Sequence, residues 1–302
     1  MSEWIGEYRL TTPLRTTGSG SARWGIAMRG LERYFLKEFL SPVYPVNEDT
    51  PLGRRQRERC LAFERQKRRL YAAISCVIGD TLVPVVDFFR VGGKYYAISE
   101  AMSPLSVSAE EARGLSDEDK RDILHQLAVC LARLHVQGVI HADLKPEHVL
   151  LTRKPGGYRA RLIDLDSGLL SDDPPPGGRD MEGDPVYLAP EAFLRMAGQP
   201  SSLDGRVDTF AFGALIHRLW TGELPAFDRS RYAYLYEAAL DGASFSLSDA
   251  LPKEYHRMVR RMLRPQPQRR PDDAELAALF APAPAPPVSS DLQNPLSRYL
   301  RR

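Results

Sequence analysis

Apolar and aromatic positions in the first hundred residues come in short runs. The stretches "YRLTTPL", "RWGIAMRG" and "RYFLKEFL" carry branched and aromatic residues and are parted by Gly-rich turns, which predicts short strands. "VPVVDFFRVGGKYYAISEA" repeats that pattern on both sides of Gly92-Gly93 and predicts a hairpin turning there. Between them, "RRQRERCLAFERQKRRLYAAI" is highly charged and fits one helix. The periodicity then changes. Ile123, Leu124, Leu127, Ala128, Leu131, Ala132 and Leu134 recur at helical spacing behind the capping-type sequence "LSDEDK". "VDTFAFGALIHRLWTG" is apolar nearly all round, which predicts a buried helix. Helical patterns continue to about Phe280, where "APAPAPP" breaks them and predicts an extended linker. A strand-rich lobe followed by a helix-rich lobe, with polar motifs at the junction, implies an α+β protein with a site in the cleft.

Composition narrows the picture only a little. At 302 residues, the chain is long enough for one large domain or two lobes around a cleft. Hydrophobic content of 43% and charged content of 26% are ordinary for a globular protein. A net charge of +2 gives no reason to expect a nucleic-acid partner. No apolar run is long enough to span a bilayer, and "MSEWIGEYRL" lacks the features of a signal peptide. A cytoplasmic protein, or the cytoplasmic part of a longer one, is expected. Cys60, Cys76 and Cys130 form no CxxC pair and read as reduced. The basic run over residues 54–69 reads first as a solvated helix face, and second as a dock for an acidic partner.

The chemistry concentrates in a few motifs. In "TTGSGSARWGIA", Gly18 and Gly20 would let backbone amides approach phosphates without side-chain obstruction. "RYFLKEFL" places Lys37 in an apolar strand. "HADLKPEHVLL" holds His141, Asp143, Lys145 and His148 within eight residues, and "ARLIDLDSGLL" supplies Asp164 and Asp166 at a strand end. "EGDPVYLAPE" and "PQRRPDDAEL" contribute Asp184, Glu191 and Arg270, and "VDTFAFG" contributes Asp208.

In this order and at this spacing, the motifs resemble the eukaryotic-like, bacterial-type Ser/Thr protein kinase family over roughly residues 8 to 280. The resemblance implies a bilobal fold. Residues 1–101 would form an N-lobe of antiparallel sheet plus one helix, and 102–282 a mainly helical C-lobe. Residues 283–302 would be a Pro/Ala linker and basic tail. It implies ATP and Mg²⁺ (or Mn²⁺) as cofactors and a protein as substrate. Lys37 would grip the nucleotide phosphates, held by a helix carboxylate for which Glu64 is the first candidate and Glu58 the second. Ser99 would be the gatekeeper, with Glu100 to Met102 facing the adenine edge. Asp143 would orient the acceptor hydroxyl and take its proton, and Lys145 would neutralise charge on the moving phosphoryl group. Glu191 should pair with Arg270, and Asp208 should anchor the catalytic-loop backbone.

The departures from the family pattern define the metal question. Ala142 replaces an Arg, His148 replaces a metal-holding Asn, and Leu165-Asp166 follow Asp164 where Phe-Gly is usual. Asp164 is the expected metal ligand, with His148 beside it and Asp166 as a compensating carboxylate. Asp184 stands where a Thr usually contacts the catalytic Asp and Lys, and could only help position Lys145. Two other readings compete with an active protein kinase: a pseudokinase acting as a nucleotide- or partner-binding module, and transfer to a small molecule. The Ala-Pro-Glu of residues 189–191 argues against the last, because antibiotic and sugar phosphotransferases generally lack it.

Overall fold

The computed structural model describes residues 3–16, 22–102, 105–106, 114–175, 181 and 183–281. Gly18, Gly20 and the tail expected after residue 282 lie outside the described residues. The first strands are β1 (Trp4–Ile5), β2 (Tyr8–Leu10), β3 (Arg15–Thr16), β4 (Ala22–Arg29) and β5 (Glu32–Phe39). After α1 (Pro51–Ser75), β6 (Val85–Val91) and β7 (Lys94–Glu100) form the hairpin read from the sequence. All pair antiparallel in one sheet, in the order β1-β2-β4-β5-β7-β6, with β3 also on β4.

Strand alternation positions Lys37. Side chains on β5 point to opposite faces in turn. Tyr34 and Leu36 join Tyr8, Tyr96 and Ile98 in a small cluster on the outer face. Phe39 joins Phe88, Tyr95 and Ala97 in the large core on the other. Lys37 shares the parity of Phe39, and in the strand pairing it lies opposite Trp24 and Ala97. It therefore faces α1 and the cleft.

Thr50 caps α1 by accepting from the Gly53 amide, and Pro51 opens the helix where its missing N–H costs nothing. Gly53, Cys60, Lys67 and Ile74 recur at seven-residue intervals on its buried face, beside Leu70 and Tyr71. One member of this stripe is a cation. Lys67 Nζ lies over the rings of Phe39 and Phe63, 5.5 and 5.6 Å from their centroids.

The C-terminal part adds β8 (Leu105–Ser106), α2 (Asp117–Val136), β9 (Val139–Ile140), β10 (Val149–Lys154), β11 (Gly157–Leu162) and β12 (Leu169–Leu170). Ser116 caps α2 through the Asp119 amide, as "LSDEDK" predicts. The helices α3 (Pro190–Met196), α4 (Arg206–Thr221), α5 (Leu235–Leu240), α6 (Lys253–Met262) and α7 (Asp273–Phe280) follow. α4 is buried along nearly its whole length and ends at Gly222, whose φ of 78° suits a glycine. One core runs from Phe39, Leu70 and Phe88 through Leu165 into the helices, so the two lobes share packing across the cleft. β12 pairs β9, and β11 pairs β10. This lays the loop before β10 beside the loop after β11. Among the described residues, no helix is long and apolar enough to cross a membrane.

Candidate active site

The loop between β9 and β10 is held from below by a buried carboxylate. Asp208, in the first turn of α4, accepts from the amides of His141 at 2.7 Å and Ala142 at 2.9 Å. Ala142 has φ of 64°, a left-handed conformation that L-residues with side chains rarely adopt. The paired hydrogen bonds offset that strain. His141 accepts from the Asp143 amide at Nδ1 (3.3 Å), so its Nε2–H donates to Ile163 O at 3.1 Å. It packs the loop, as the sequence suggests.

Asp143 is then fixed on both oxygens. Oδ1 accepts from the Asp184 amide at 2.9 Å, and Oδ2 lies 3.1 Å from Lys145 Nζ. The Asp184 carboxylate is 3.5 Å from the same ammonium. Backbone and side chain of Asp184 thus divide between them the two contacts that one Thr hydroxyl would make. Burial opposes the charge on Lys145, but Asp143 and Asp184 outweigh it and raise its pKa.

Asp164 lies across the cleft with φ of 61°, the second left-handed residue among those described with a side chain. Its Oδ1 accepts from Lys37 Nζ at 2.8 Å, and its Oδ2 is 3.5 Å from His148 Nε2. Burial pushes its carboxyl up, but Lys37 holds it well below the usual carboxylate range. His148 is oriented by its other nitrogen. A carbonyl only accepts, so Nδ1–H donates to Asp143 O at 2.8 Å and the Nε2 lone pair faces Asp164. Burial lowers the His148 pKa despite the neighbouring carboxylates, which favours that neutral form. A lone pair and a carboxylate oxygen facing one another are mutually repulsive until a cation lies between them. This donor set fits a divalent metal. Among the described residues, no three His, Cys, Asp or Glu side chains gather into a ready cage. Nucleotide sites need only one or two protein ligands beside phosphate oxygens.

The carboxylate expected from the helix is not Glu64. Glu64 accepts from Tyr95 OH at 2.7 Å, while Lys37 reaches Asp166 Oδ2 at 2.7 Å as well as Asp164. Side-chain direction explains the difference. The α1 residues that point at the loop are Lys67, which donates to Asp166 O, and Tyr71. Asp166, expected as a compensating metal ligand, lies against α1 and Lys37. Its Oδ1 accepts from Tyr71 OH at 2.8 Å, so both of its oxygens are engaged by protein. Burial sets Lys37 against its charge, but Asp166 and Asp164 overcome this and raise its pKa. Sequence reasoning missed Tyr71 and Lys67. Their signal was a Lys and a Tyr on the buried stripe of a charged helix.

At the hinge, Glu100 ends β7 and its side chain pairs with Arg161 of β11 at 3.0 Å, a link between lobes. The next amide, Ala101, donates to Arg33 O, and Met102 is half-buried. Ser99 lies opposite Phe35 and Val85. Below the cleft, Glu191 and Arg270 form the expected pair, bidentate at 2.6 and 2.8 Å.

His135 is a further anchor that the sequence did not disclose. Nε2 contacts Asp208 at 3.0 Å and Nδ1 contacts Asp273 at 2.8 Å, so the protonated ring bridges α4 and α7. Burial lowers its pKa, but the two carboxylates raise it further, to about 9. A folded pKa above the ordinary 6.5 means stability that is complete below pH 6.5 and lost as pH rises through 9. The expected loss is about 3 kcal/mol. Urea midpoints of wild type and His135→Gln across pH 6 to 10 should converge at the alkaline end, where wild type loses its advantage.

The family model described as the protein kinase domain matches residues 64–278. The chain belongs to that family. A Myxococcus xanthus protein named Serine/threonine-protein kinase pkn2 is 31% identical over 236 residues, covering 73% of this chain and 27% of the relative. Serine/threonine-protein kinase Pkn1 of the same organism is 28% identical over 166 residues, 54% of this chain and 23% of its own length. Serine/threonine-protein kinase PkaA of Streptomyces coelicolor is 32% identical over 153 residues, 50% of this chain and 27% of its own. The chain spans about a quarter of the length of these curated relatives. The bilobal α+β kinase fold read from the sequence is the one observed. The family match begins at residue 64 and so does not reach Lys37, which lies on β5.

Proposed function

We propose that this chain transfers the γ-phosphoryl group of ATP to a serine or threonine hydroxyl of a protein. One observation carries the reading. Lys37, Asp164, His148, Asp143, Lys145 and Asp184 form a single unbroken chain of polar contacts lining the cleft. In this reading Asp143 accepts the proton of the acceptor hydroxyl. Lys145 offsets charge on the transferring group, and Lys37 holds the nucleotide phosphates. Gly18 and Gly20 keep the phosphate-loop role that the sequence suggests, with Glu100 to Met102 at the adenine edge. The Glu191–Arg270 shelf supports a protein acceptor over a small molecule, and the complete charge set disfavours an inert binding module. A cytoplasmic site of action belongs to the same proposal. So does an acidic segment docking on residues 54–69, where Arg55, Arg59 and Arg65 are exposed.

Incubation with γ-labelled ATP, a divalent metal and a basic acceptor protein, followed by hydrolysis to phosphoamino acids, tests this. Labelled phosphoserine or phosphothreonine is expected. Label confined to a small molecule, or no transfer at all, contradicts it.

The metal follows from the same donor set. Asp164 and His148 would hold a divalent ion, whose charge would offset that developing on the phosphate. Imidazole nitrogen suits Mn²⁺ better than Mg²⁺, which prefers oxygen. Mn²⁺ should therefore support faster turnover than Mg²⁺ at equal concentration. His148→Asn should shift the Mn²⁺/Mg²⁺ rate ratio toward Mg²⁺ by about tenfold. An unchanged ratio would remove His148 from the metal.

A further inference from the structure

We infer that Asp166 is the positioning residue for Lys37, replacing a helix carboxylate with one on the loop after Asp164. This rests on the kinase reading above and deepens it. An ammonium that must hold phosphates needs a carboxylate that stays with it when the metal arrives. Asp164 cannot be that group, because the metal draws on the same carboxylate. Asp166 can. Its Oδ2 lies 2.7 Å from Lys37 Nζ, and its side chain is only 13% exposed.

The geometry of Asp166 is set from α1 by two bonds. Tyr71 OH donates to Oδ1 at 2.8 Å, leaving Oδ2 for Lys37. Lys67 Nζ donates to the Asp166 backbone oxygen and so ties the loop to the helix. The charges on helix and loop are reversed from a helix-Glu and loop-Gly arrangement. Here the helix offers a cation, Lys67, and the loop offers the anion. Glu64 is committed to Tyr95 and offers no substitute. Gly168 completes the contact: a Cβ there would come within 2.8 Å of Leu165 O and 3.4 Å of Leu70 Cδ1. The loop is therefore packed directly on α1. Helix α1 acts on Lys37 through Asp166.

Asp166→Asn keeps the shape and the Tyr71 contact but removes the charge. It should weaken ADP binding at saturating Mn²⁺, where the metal draws on Asp164, and raise the KM for ATP by roughly ten- to a hundredfold, with a melting temperature close to wild type. Tyr71→Phe retains the charge and loses only its orientation, so a smaller rise in both is expected. The reciprocal swap is decisive. Asp166→Gly should lose ADP affinity, and adding Lys67→Glu in the same chain should restore most of it, because residue 67 already reaches this loop.

ADP binding at saturating Mn²⁺ unchanged within twofold in Asp166→Asn would overturn the inference. So would a change seen only in Mn²⁺ affinity, which would return Asp166 to the metal. These binding readouts do not depend on transfer. An inert wild type would sink the kinase reading while the ADP titrations still judged Asp166.

Discussion

Asp164→Asn is expected to abolish measurable phosphoryl transfer and to remove the metal dependence of nucleotide binding. Asp143→Asn is expected to lower turnover about 10²- to 10⁴-fold while leaving metal–nucleotide affinity within a few-fold of wild type. The separation follows from where each carboxylate points. Asp164 is shared between Lys37 and the His148 lone pair, both on the nucleotide side of the cleft. Asp143 is held by the Asp184 amide and Lys145, on the acceptor side. Their electrostatic settings differ too, because Asp164 is held strongly ionised by Lys37 against its burial. Asn at 164 keeps a neutral oxygen but loses the charge that balances both Lys37 and a divalent ion. Asn at 143 keeps the Asp184 hydrogen bond and loses the proton acceptor. Titration of Mg²⁺–ADP and Mn²⁺–ADP, beside steady-state turnover, separates the two effects. If both variants lost nucleotide affinity equally, the division of roles would be wrong.

The second large effect is on stability. Arg270→Ala is expected to destabilise the chain by about 3–5 kcal/mol, because it strands a buried carboxylate. The Arg270 side chain is 0% exposed and that of Glu191 6%. Besides Glu191, the guanidinium donates to the carbonyls of Arg206, Arg264 and Pro265, so its loss also leaves those acceptors unpaired. Burial pushes the Glu191 carboxyl up even with Arg270 beside it, so without the partner it should fold protonated. That makes the loss pH-dependent: Arg270→Ala should recover some stability as pH falls and Glu191 takes up its proton. Arg270→Lys should recover only part, because one ammonium cannot reproduce the fork. Urea unfolding at pH 5 and pH 8 reads both. A variant as stable as wild type at pH 8 would mean that the shelf contributes little.

The legible and illegible parts of this chain differ in kind. Strands, hairpin and helices were readable because their patterns of two and 3.6 are local: the Gly92-Gly93 turn, the Ser116 cap and the buried α4 all follow from neighbouring letters. The catalytic loop was readable because its chemistry needs particular residues a fixed few positions apart. The partner of Lys37 was not. Residues 37, 71 and 166 are distant in sequence, and only the packing of α1 on the loop brings them together. Glu64 was the reasonable expectation, since it is a carboxylate on the right helix. Lys67 lies three residues on, on nearly the same face but about one turn further along the helix, and that turn is the one that meets the loop. Its position on the stripe of Cys60 and Ile74 was visible, but a lone buried cation does not name its partner. His135 was hidden for the same reason: an imidazole at the end of an apolar helix carries no sign of two carboxylates from α4 and α7.

The central claim is that the altered letters leave a working phosphotransferase, with Asp143 at its reacting end. The most direct measurement is the initial rate of label transfer from γ-labelled ATP to a basic acceptor protein, by wild type and Asp143→Asn at equal concentration with Mn²⁺. The account predicts steady transfer by wild type and a rate at or near the no-enzyme blank for the variant. Equal rates in the two proteins would contradict it.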